Sequence, residues 1–424
     1  MNLIKELTWR GMIQDIKPGT EEQLQKEVTT GYIGFDPSGD SLHIGSLVPV
    51  VLLLHLQKAG HKPVALIGGA TGMIGDPSGK NEERNLLSED ILVHNQKKIR
   101  AQIEKLLAHG IEGGHKPEVV NNYDWFKEMN FLHFIRDVGK YITVNYMMAK
   151  DSVKKRLEGD TGMSFTEFTY QLIQGYDFYW LYKHKGCKLQ MGGSDQWGNI
   201  ITGTELIRKK AGEEAFAFTS PLIKKADGGK FGKTEKGNIW LDGDKTSPYH
   251  FYQFWLNASD TDAAEWIKIF TFLEETTIND VIDKHTSDAS GRILQKKLAE
   301  EITRWVHGDK ELQLALETTE TLFRNQDKDL ASFTEAELQQ IEGVVTTNLN
   351  FFEVVENEML HLLMAANIFA SRGEAKKMIA NGGVSINRQK ILNGQEKLSA
   401  TMLLHKKYLL VQKGKKNYYL LKVE

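Results

Sequence analysis

The chain has 424 residues, with 53 Lys and Arg against 56 Asp and Glu, a formal charge of −3, 41% hydrophobic and 26% charged residues. These proportions exclude a disordered chain, a collagen and a coiled coil, and the length implies about two to four domains. A single cysteine excludes a disulfide framework and any Cys-built zinc or iron–sulfur site, and suits a reducing, cytosolic setting.

The chain opens on MNLIKELTWRG, which has neither the apolar core of a signal peptide nor the Arg/Ser bias of a transit peptide. Gly31 to Phe35 reads as a short strand running into an Asp36-Pro37 turn. Ile44 to Ala59 reads as an apolar helix stopped by Gly60. Its most apolar run, Leu47 to Leu56, is about half the length of a membrane span and carries His55. Pro63 to Gly68 reads as a buried strand ending in a glycine cluster at 68, 69 and 72. Apolar strands followed by glycines and helices are the pattern of a parallel α/β sheet, which binds ligands at the carboxyl ends of its strands. Tyr249 to Arg324 reads as amphipathic helix after a Ser247-Pro248 boundary, and Asn325 to Asn350 as a polar linker. Ser371-Arg-Gly-Glu374 fits a capping box that starts a helix ended by Asn381-Gly382-Gly383. Val384 to Asn387 is strand-like, and Tyr408 to Val423 reads as a hairpin around Lys413-Gly414-Lys415-Lys416.

Charge is unevenly distributed. From Asn357 onward there are 12 Lys and Arg against 4 Asp and Glu, which leaves the preceding residues at −11. A basic tail on an acidic body reads either as a polyanion-binding appendage or as a solvated lysine-rich surface.

Two common nucleotide signatures fail. Gly79-Lys80 lacks the P-loop's earlier Gly, since position 74 is Ile, and lacks Ser or Thr after the Lys, since position 81 is Asn. No G-x-G-x-x-G follows the first strand. Phe35-Asp-Pro-Ser-Gly-Asp-Ser-Leu-His-Ile-Gly-Ser46 stands instead between a strand and an apolar helix. Glycine and small residues at a helix start let a base or phosphate approach free N–H groups, and His43 can donate to a phosphoryl oxygen. About 190 residues later, Ala226-Asp-Gly-Gly-Lys-Phe-Gly-Lys-Thr234 places two lysines among glycines. Such a cationic loop can neutralise charge on a leaving pyrophosphate. Tyr170, Gln174 and Asp177 fall at i, i+4 and i+7, on one face of a helix whose flanks are strongly apolar, so they suggest a lined cavity.

His43-Ile44-Gly45 and Lys230-Phe-Gly-Lys-Thr234 resemble the HIGH and KMSKS signatures of class I aminoacyl-tRNA synthetases. Tyr32-Ile-Gly-Phe-Asp-Pro37, Gly75-Asp-Pro-Ser-Gly-Lys80, Tyr170-Gln-Leu-Ile-Gln-Gly-Tyr-Asp177 and Gln190-Met-Gly-Gly-Ser-Asp-Gln196 resemble the bacterial-type tyrosyl-tRNA synthetases in particular, in family order over the whole chain. Ser46 stands where a second histidine is usual; it either weakens one phosphate contact or hydrogen-bonds in its place.

The resemblance implies an α/β fold with three parts. A Rossmann-like parallel-sheet catalytic domain (1–245) would carry an inserted dimerisation region around Trp125 to Ile135. An α-helical domain (246–325) and a linker (326–356) would follow, then a small α+β S4-like RNA-binding domain (357–424). It implies that Tyr170, Gln174 and Asp76 hold the α-ammonium of L-tyrosine, Tyr32 and Asp177 its phenolic hydroxyl, and Gln196 lies near its carboxylate. Asp36 and Asp195 would serve the nucleoside of ATP, Gly45 and Gly193 its close approach. Ser38, His43, Lys230 and Lys233 would contact the phosphates, with Lys80 and Arg84 assisting on pyrophosphate. Asn81 to Arg84 reads equally as a charged helix start.

Phe369 to Met378 and Gly382 to Lys390 resemble an S4-type RNA-binding domain, which implies Arg372, Lys376, Lys377, Arg388 and Lys390 as contacts to tRNA(Tyr). The implied enzyme is a cytoplasmic homodimer with no membrane segment, no dedicated metal ligands and no permanent cofactor, using ATP with Mg²⁺ as substrate. A tryptophanyl-tRNA synthetase shares the two signatures, but the Tyr32/Asp177 pair and the S4-like tail argue against it. A binding protein with a dead synthetase body is disfavoured by retention of His43, Asp195, Lys230 and Lys233.

Overall fold

The computed structural model describes residues 1–78, 86–110, 114–158, 162–229, 231–234, 237–323, 330, 335, 338, 345–351, 355–414 and 417–423. Lys80, Arg84 and Lys230 lie outside the described residues, as does the side chain of Lys233. The chain divides into two compact units. The first is Met1–Lys245 with Trp255–Val306, and the second is Thr246–Phe254 with His307–Glu424. The region 246–325, expected as one helical domain, thus contributes to both.

The first unit is built on a six-stranded sheet: β1 (Asp15–Ile16), β2 (Thr30–Phe35), β3 (Lys62–Ile67), β4 (Glu118–Asn121), β5 (Cys187–Gly193) and β6 (Phe216–Ser220). Their spatial order is β1-β6-β5-β2-β3-β4, and all neighbours are parallel except β1 and β6. The chain runs outward from β2 through β3 to β4, then returns to β5 on the other side of β2. The order therefore reverses between β2 and β5, where parallel α/β sheets open a crevice at their carboxyl ends. Val, Ile and Leu dominate β3, and five of its six residues are buried, as both-face coverage requires.

Ile44–Ser46 forms a turn of 3₁₀ helix before the helix Leu47–Lys58. Pro49 falls in the first turn of that helix, where no intrahelical N–H is lost. Ten of its twelve residues are buried, so it is a core element and not an amphipathic surface one. Gly60, at φ 87°, turns the chain into β3. Among the described residues no helix is long and apolar enough to cross a membrane.

In the second unit, Ser371 Oγ accepts from the Glu374 N–H at 3.2 Å and starts the helix Arg372–Ala380, as the S-x-x-E spacing predicts. The hairpin Tyr408–Lys413 with Asn417–Val423 forms as expected. Its sheet also takes Val345–Leu349, paired parallel to Asn417–Val423. This strand lies within the stretch read as linker. Its polar Thr-Thr-Asn core hid a β-branched run whose partner is some seventy positions away, beyond any local signal.

Candidate active site

Tyr32 lies on β2 directly opposite Gln190 of β5, at the point where the strand order reverses. Above them opens a cleft of about 420 Å³, within the range of small-molecule sites. Tyr32, Asp36, Ser38, His43, Gly45, Asp76, Tyr170, Gln174, Asp177, Gly193, Asp195 and Gln196 all line it. Every small-molecule site residue expected from the sequence whose side chain the structure describes is thus in one place.

The helix Phe165–Lys185 supplies Tyr170, Gln174 and Asp177. Ser164 caps its start, accepting from the Glu167 N–H at 3.2 Å, and Gly186 ends it in the left-handed region. A buried bidentate pair, Arg156 Nη1 to Glu167 Oε1 at 3.0 Å and Nη2 to Oε2 at 2.8 Å, ties down the first turn. Phe178 and Leu181, further along the same helix, are buried in the core beside Tyr32.

One hydrogen-bond chain joins the polar groups at the floor. Asp177 Oδ1 accepts from Trp125 Nε1 at 2.9 Å and Oδ2 from Asn122 Nδ2 at 3.1 Å. Asn122 Nδ2 also donates to Thr71 Oγ1 at 3.1 Å, and Thr71 Oγ1 donates to Asp36 Oδ1 at 2.7 Å. Tyr170 Oη donates to Asp36 Oδ2 at 2.8 Å. Asp36, expected on the nucleotide side, therefore backs Tyr170 as well. Gly68 lets this chain close: a Cβ there would collide with Asp36 Oδ1 and Thr71 Oγ1.

Burial pushes the Asp177 carboxyl well above the usual carboxylate range, against the two donors that favour its charge. Burial likewise raises the Tyr32 hydroxyl, and the Asp177 charge adds to it. Tyr32 Oη is buried and meets no hydrogen-bond partner among the described residues. So orphaned a hydroxyl costs stability unless a ligand completes it. Gln174 Oε1 and Gln190 Oε1 are in the same condition.

A second cluster stands nearer the mouth. Gln196 Nε2 donates to Asp76 Oδ2 at 2.6 Å, and Asp76 Oδ1 accepts from the Ser78 N–H at 2.9 Å. Burial and the neighbouring Asp76 raise the Asp195 carboxyl.

His43 Nδ1 accepts from the Gly45 N–H at 3.0 Å, which leaves Nε2 to carry the ring proton. A Cβ on residue 45 would lie 2.7 Å from His43 Cε1, so glycine is required there. Gly232 of the second signature comes to the same place. Ile44 N donates to Ile239 O at 3.0 Å, and Ile239 N to Gly232 O at 3.0 Å. The two signatures, far apart in the chain, are stitched side by side.

This pairing of a His-Ile-Gly turn and a Lys-Phe-Gly-Lys loop over a parallel sheet agrees with comparison to known proteins. Residues 24–324 match the family described as tRNA synthetases class I (W and Y). The chain belongs to that family. Residues 338–421 match the tyrosine-tRNA ligase SYY-like C-terminal domain. The tyrosine-tRNA ligase of Bacteroides fragilis strain YCH46 is 56% identical over 99% of both chains, and that of Porphyromonas gingivalis strain W83 is 55% identical over 100% of both. Among solved structures, a C-terminally truncated mitochondrial tyrosyl-tRNA synthetase of Aspergillus nidulans superposes with a TM-score of 0.70 at 30% identity, covering 76% of this chain and 94% of its own. A Plasmodium falciparum tryptophanyl-tRNA synthetase, at 14% identity and a TM-score of 0.53, shares the fold.

Sequence reading missed Thr71, Asn122 and Trp125, which hold the carboxylates of the floor. The available signal was Asn121-Asn-Tyr-Asp-Trp125, a polar and aromatic run at the carboxyl end of β4. Arg372, Lys376, Lys377 and Lys390 are exposed and Arg388 half-buried, all in the second unit. Ser46 does not line the cleft; its N–H donates to His43 O at 2.8 Å, at the start of the helix.

Proposed function

We propose that this chain is a tyrosine-tRNA ligase: it activates L-tyrosine with ATP to tyrosyl-adenylate and pyrophosphate, then transfers tyrosine to the 3′-terminal adenosine of tRNA(Tyr). The observation that carries the choice of amino acid is the pair Tyr32 and Asp177 at the buried floor, one hydroxyl without a partner beside one carboxylate. A phenol gives the Tyr32 hydroxyl the partner it lacks and adds a bond to Asp177; a phenyl ring leaves that buried hydroxyl unpaired.

Tyr170, Gln174 and Asp76 receive the α-ammonium, and Gln196 orients the carboxylate. That carboxylate is already ionised and attacks the α-phosphorus in line, so neither an enzyme nucleophile nor a general base is needed. Pyrophosphate leaves as the new carboxyl–phosphorus bond forms. Catalysis is positioning plus stabilisation of charge on the phosphoryl oxygens. His43 Nε2, Ser38, Lys230 and Lys233 supply that stabilisation, and Asp36, Asp195, Gly45 and Gly193 seat the nucleoside. ATP enters as its Mg²⁺ complex. Among the described residues no group of three or more His, Cys, Asp or Glu is arranged to hold a metal ion.

In the second step the terminal ribose hydroxyl of tRNA attacks the mixed anhydride. Arg372, Lys376, Lys377, Arg388 and Lys390 hold the tRNA through its phosphates, on the C-terminal domain whose sheet includes Val345–Leu349. ATP–pyrophosphate exchange is the test. Tyrosine should support it, and tryptophan and phenylalanine should not; exchange driven by tryptophan, or none with any amino acid, overturns the reading.

The reading includes a homodimer. The helix Phe131–Asp137 is rich in apolar residues yet buries none of them. Phe131 and Phe165 are 64% and 65% exposed on a groove of about 500 Å³ that also takes in Ile74 and Ile173. Apolar surface of that kind marks an interface. Phe165→Asp should halve the mass measured by light scattering; a variant of unchanged mass removes this face from the interface. A cytoplasmic location is supported by the lone cysteine, Cys187, which is buried.

A further inference from the structure

One helix holds the lysine loop at two points. Asp262, Trp266 and Phe270 fall at i, i+4 and i+8 on the helix Asp260–Phe270, so they share a face, and all three are buried. Asp262 Oδ1 accepts from the Ala226 N–H at 2.8 Å, where the loop begins. Trp266 meets Phe231 edge to face at 5.0 Å, Phe270 stacks on it at 5.3 Å, and Trp255 closes a third side at 5.9 Å. These are the separations aromatic pairs favour. Between the anchors run Gly228 and Gly229, which restrict the backbone least of all residues. Phe231 also lines the cleft, and a Cβ on the next residue, Gly232, would lie 3.0 Å from Ile44.

The helix is itself firmly seated. Ser259 Oγ accepts from the Asp262 N–H at 3.0 Å and donates to Asp262 Oδ2 at 2.8 Å, closing its first turn. At its other end the buried Arg10 guanidinium donates to the carbonyls of Lys268 at 2.6 Å, Thr271 at 2.8 Å and Leu273 at 2.7 Å. Its side packs on the helix Leu47–Lys58, which follows the 3₁₀ turn that His43 begins.

We propose that this helix face positions the lysine loop: Trp266 and Phe270, through Phe231, and Asp262, through Ala226, set where Lys233 stands relative to His43. All three act through other residues and are positioning residues. The proposal rests on the reading of the loop lysines as phosphate-binding. A glycine-rich loop fixed at one end only would spread its cations over many positions; the second anchor removes that freedom before ATP arrives.

The test is Trp266→Leu in the full-length protein, with the rate of tyrosyl-adenylate formation and the tyrosine dissociation constant measured separately. Adenylate formation should slow about ten- to hundredfold while tyrosine affinity stays within about twofold, as a positioning fault remote from the tyrosine pocket would give. Trp266→Phe should recover most of the rate. Phe270→Leu, a smaller change on the same face, should give the same split if Trp266→Leu fails to fold. Lys233→Ala added to Trp266→Leu should slow the reaction by less than the product of the single effects, because the two act as one unit. Ser259→Ala breaks the cap but neither anchor, so it should lower the melting temperature at unchanged rate. A wild-type rate in Trp266→Leu and Phe270→Leu while Lys233→Ala is slow overturns the proposal. So do effects that multiply, and so does a parallel loss of rate and tyrosine affinity. Lys233→Ala at wild-type rate fails differently: it removes the phosphate role of the loop and the proposal with it.

Discussion

At the floor of the cleft, Tyr170, Asp36, Thr71, Asn122, Asp177 and Trp125 are joined by hydrogen bonds of 2.7 to 3.1 Å. At the end read as phosphate-binding, His43 Nδ1 accepts from the Gly45 N–H of its own turn, and the cations that would join it belong to a glycine-rich loop. The difference follows from what each end must do. Selecting one hydroxyl among similar amino acids needs buried groups already fixed, because only an unsatisfiable, rigid site rejects the wrong side chain. Stabilising a triphosphate needs positive charge close to the phosphoryl oxygens, and a lysine-bearing loop anchored on a buried helix face suits that.

If the ends are separable in this way, a change at one should leave the other untouched. The largest effect is expected for His43→Ala. Losing one preorganised donor to the reacting phosphoryl group costs about 10²-fold in the rate of adenylate formation. Tyrosine affinity, measured by equilibrium dialysis, should hardly move; an equal loss in both would merge the two ends into one. Asp177→Ala is the reciprocal change. Removing the hydrogen-bond partner of a buried substrate hydroxyl forfeits about 1–3 kcal/mol, so preference for tyrosine over phenylalanine in exchange should drop about five- to a hundredfold. Preference left intact would take Asp177 out of the pocket.

How far these ends could be read from sequence differs for the same physical reason. Tyr170, Gln174 and Asp177 were legible because helical spacing alone puts them on one face, and β2, β3 and the capped helix at Ser371 because their signals are local. Asn122, Thr71 and Trp125 were not. Their role is to bond side chains about 50 residues away, and nothing in an Asn or Thr beside a strand distinguishes that from an ordinary turn. Val345–Leu349 was hidden likewise, since its partner strand decides its state. The same limit applies to the loop: two lysines among glycines read as cationic, but the face at Asp262, Trp266 and Phe270 that holds them is visible only in three dimensions.

The basic tail extends the comparison to a third region, where charge is exposed and meant to be so. Arg372, Lys376 and Lys377 stand on the open face of one capped helix. Replacing all three by alanine should weaken tRNA binding at every sequence alike and lower the slope of log affinity against log salt by up to about three. Tyrosine activation should be unaffected. A salt slope that does not change would assign the tail's charge to solubility.

The smallest effect tests the rigid side of the comparison, on the helix that begins beside His43. His55, three turns further on, is fully buried, and neither ring nitrogen meets a hydrogen-bond partner among the described residues. Its ring lies 5.5 Å from that of Phe272. Burial, with the charges of Arg10 and Lys58, pulls its pKa down to about 3. In the unfolded chain it would titrate near 6.5. Between those values the unfolded state binds a proton that the folded state refuses, so stability is complete above about pH 7 and is lost as pH falls through 6.5 toward 3. At pH 5 the loss from this residue amounts to ~2 kcal/mol. His55→Leu has nothing to protonate, so its melting temperature should fall less between pH 7.5 and pH 5 than that of the unaltered chain, while adenylate formation at pH 7.5 stays the same. Equal falls in the two proteins would mean that the helix core tolerates the charge, and that the body of the helix is softer than the fixed support His43 requires.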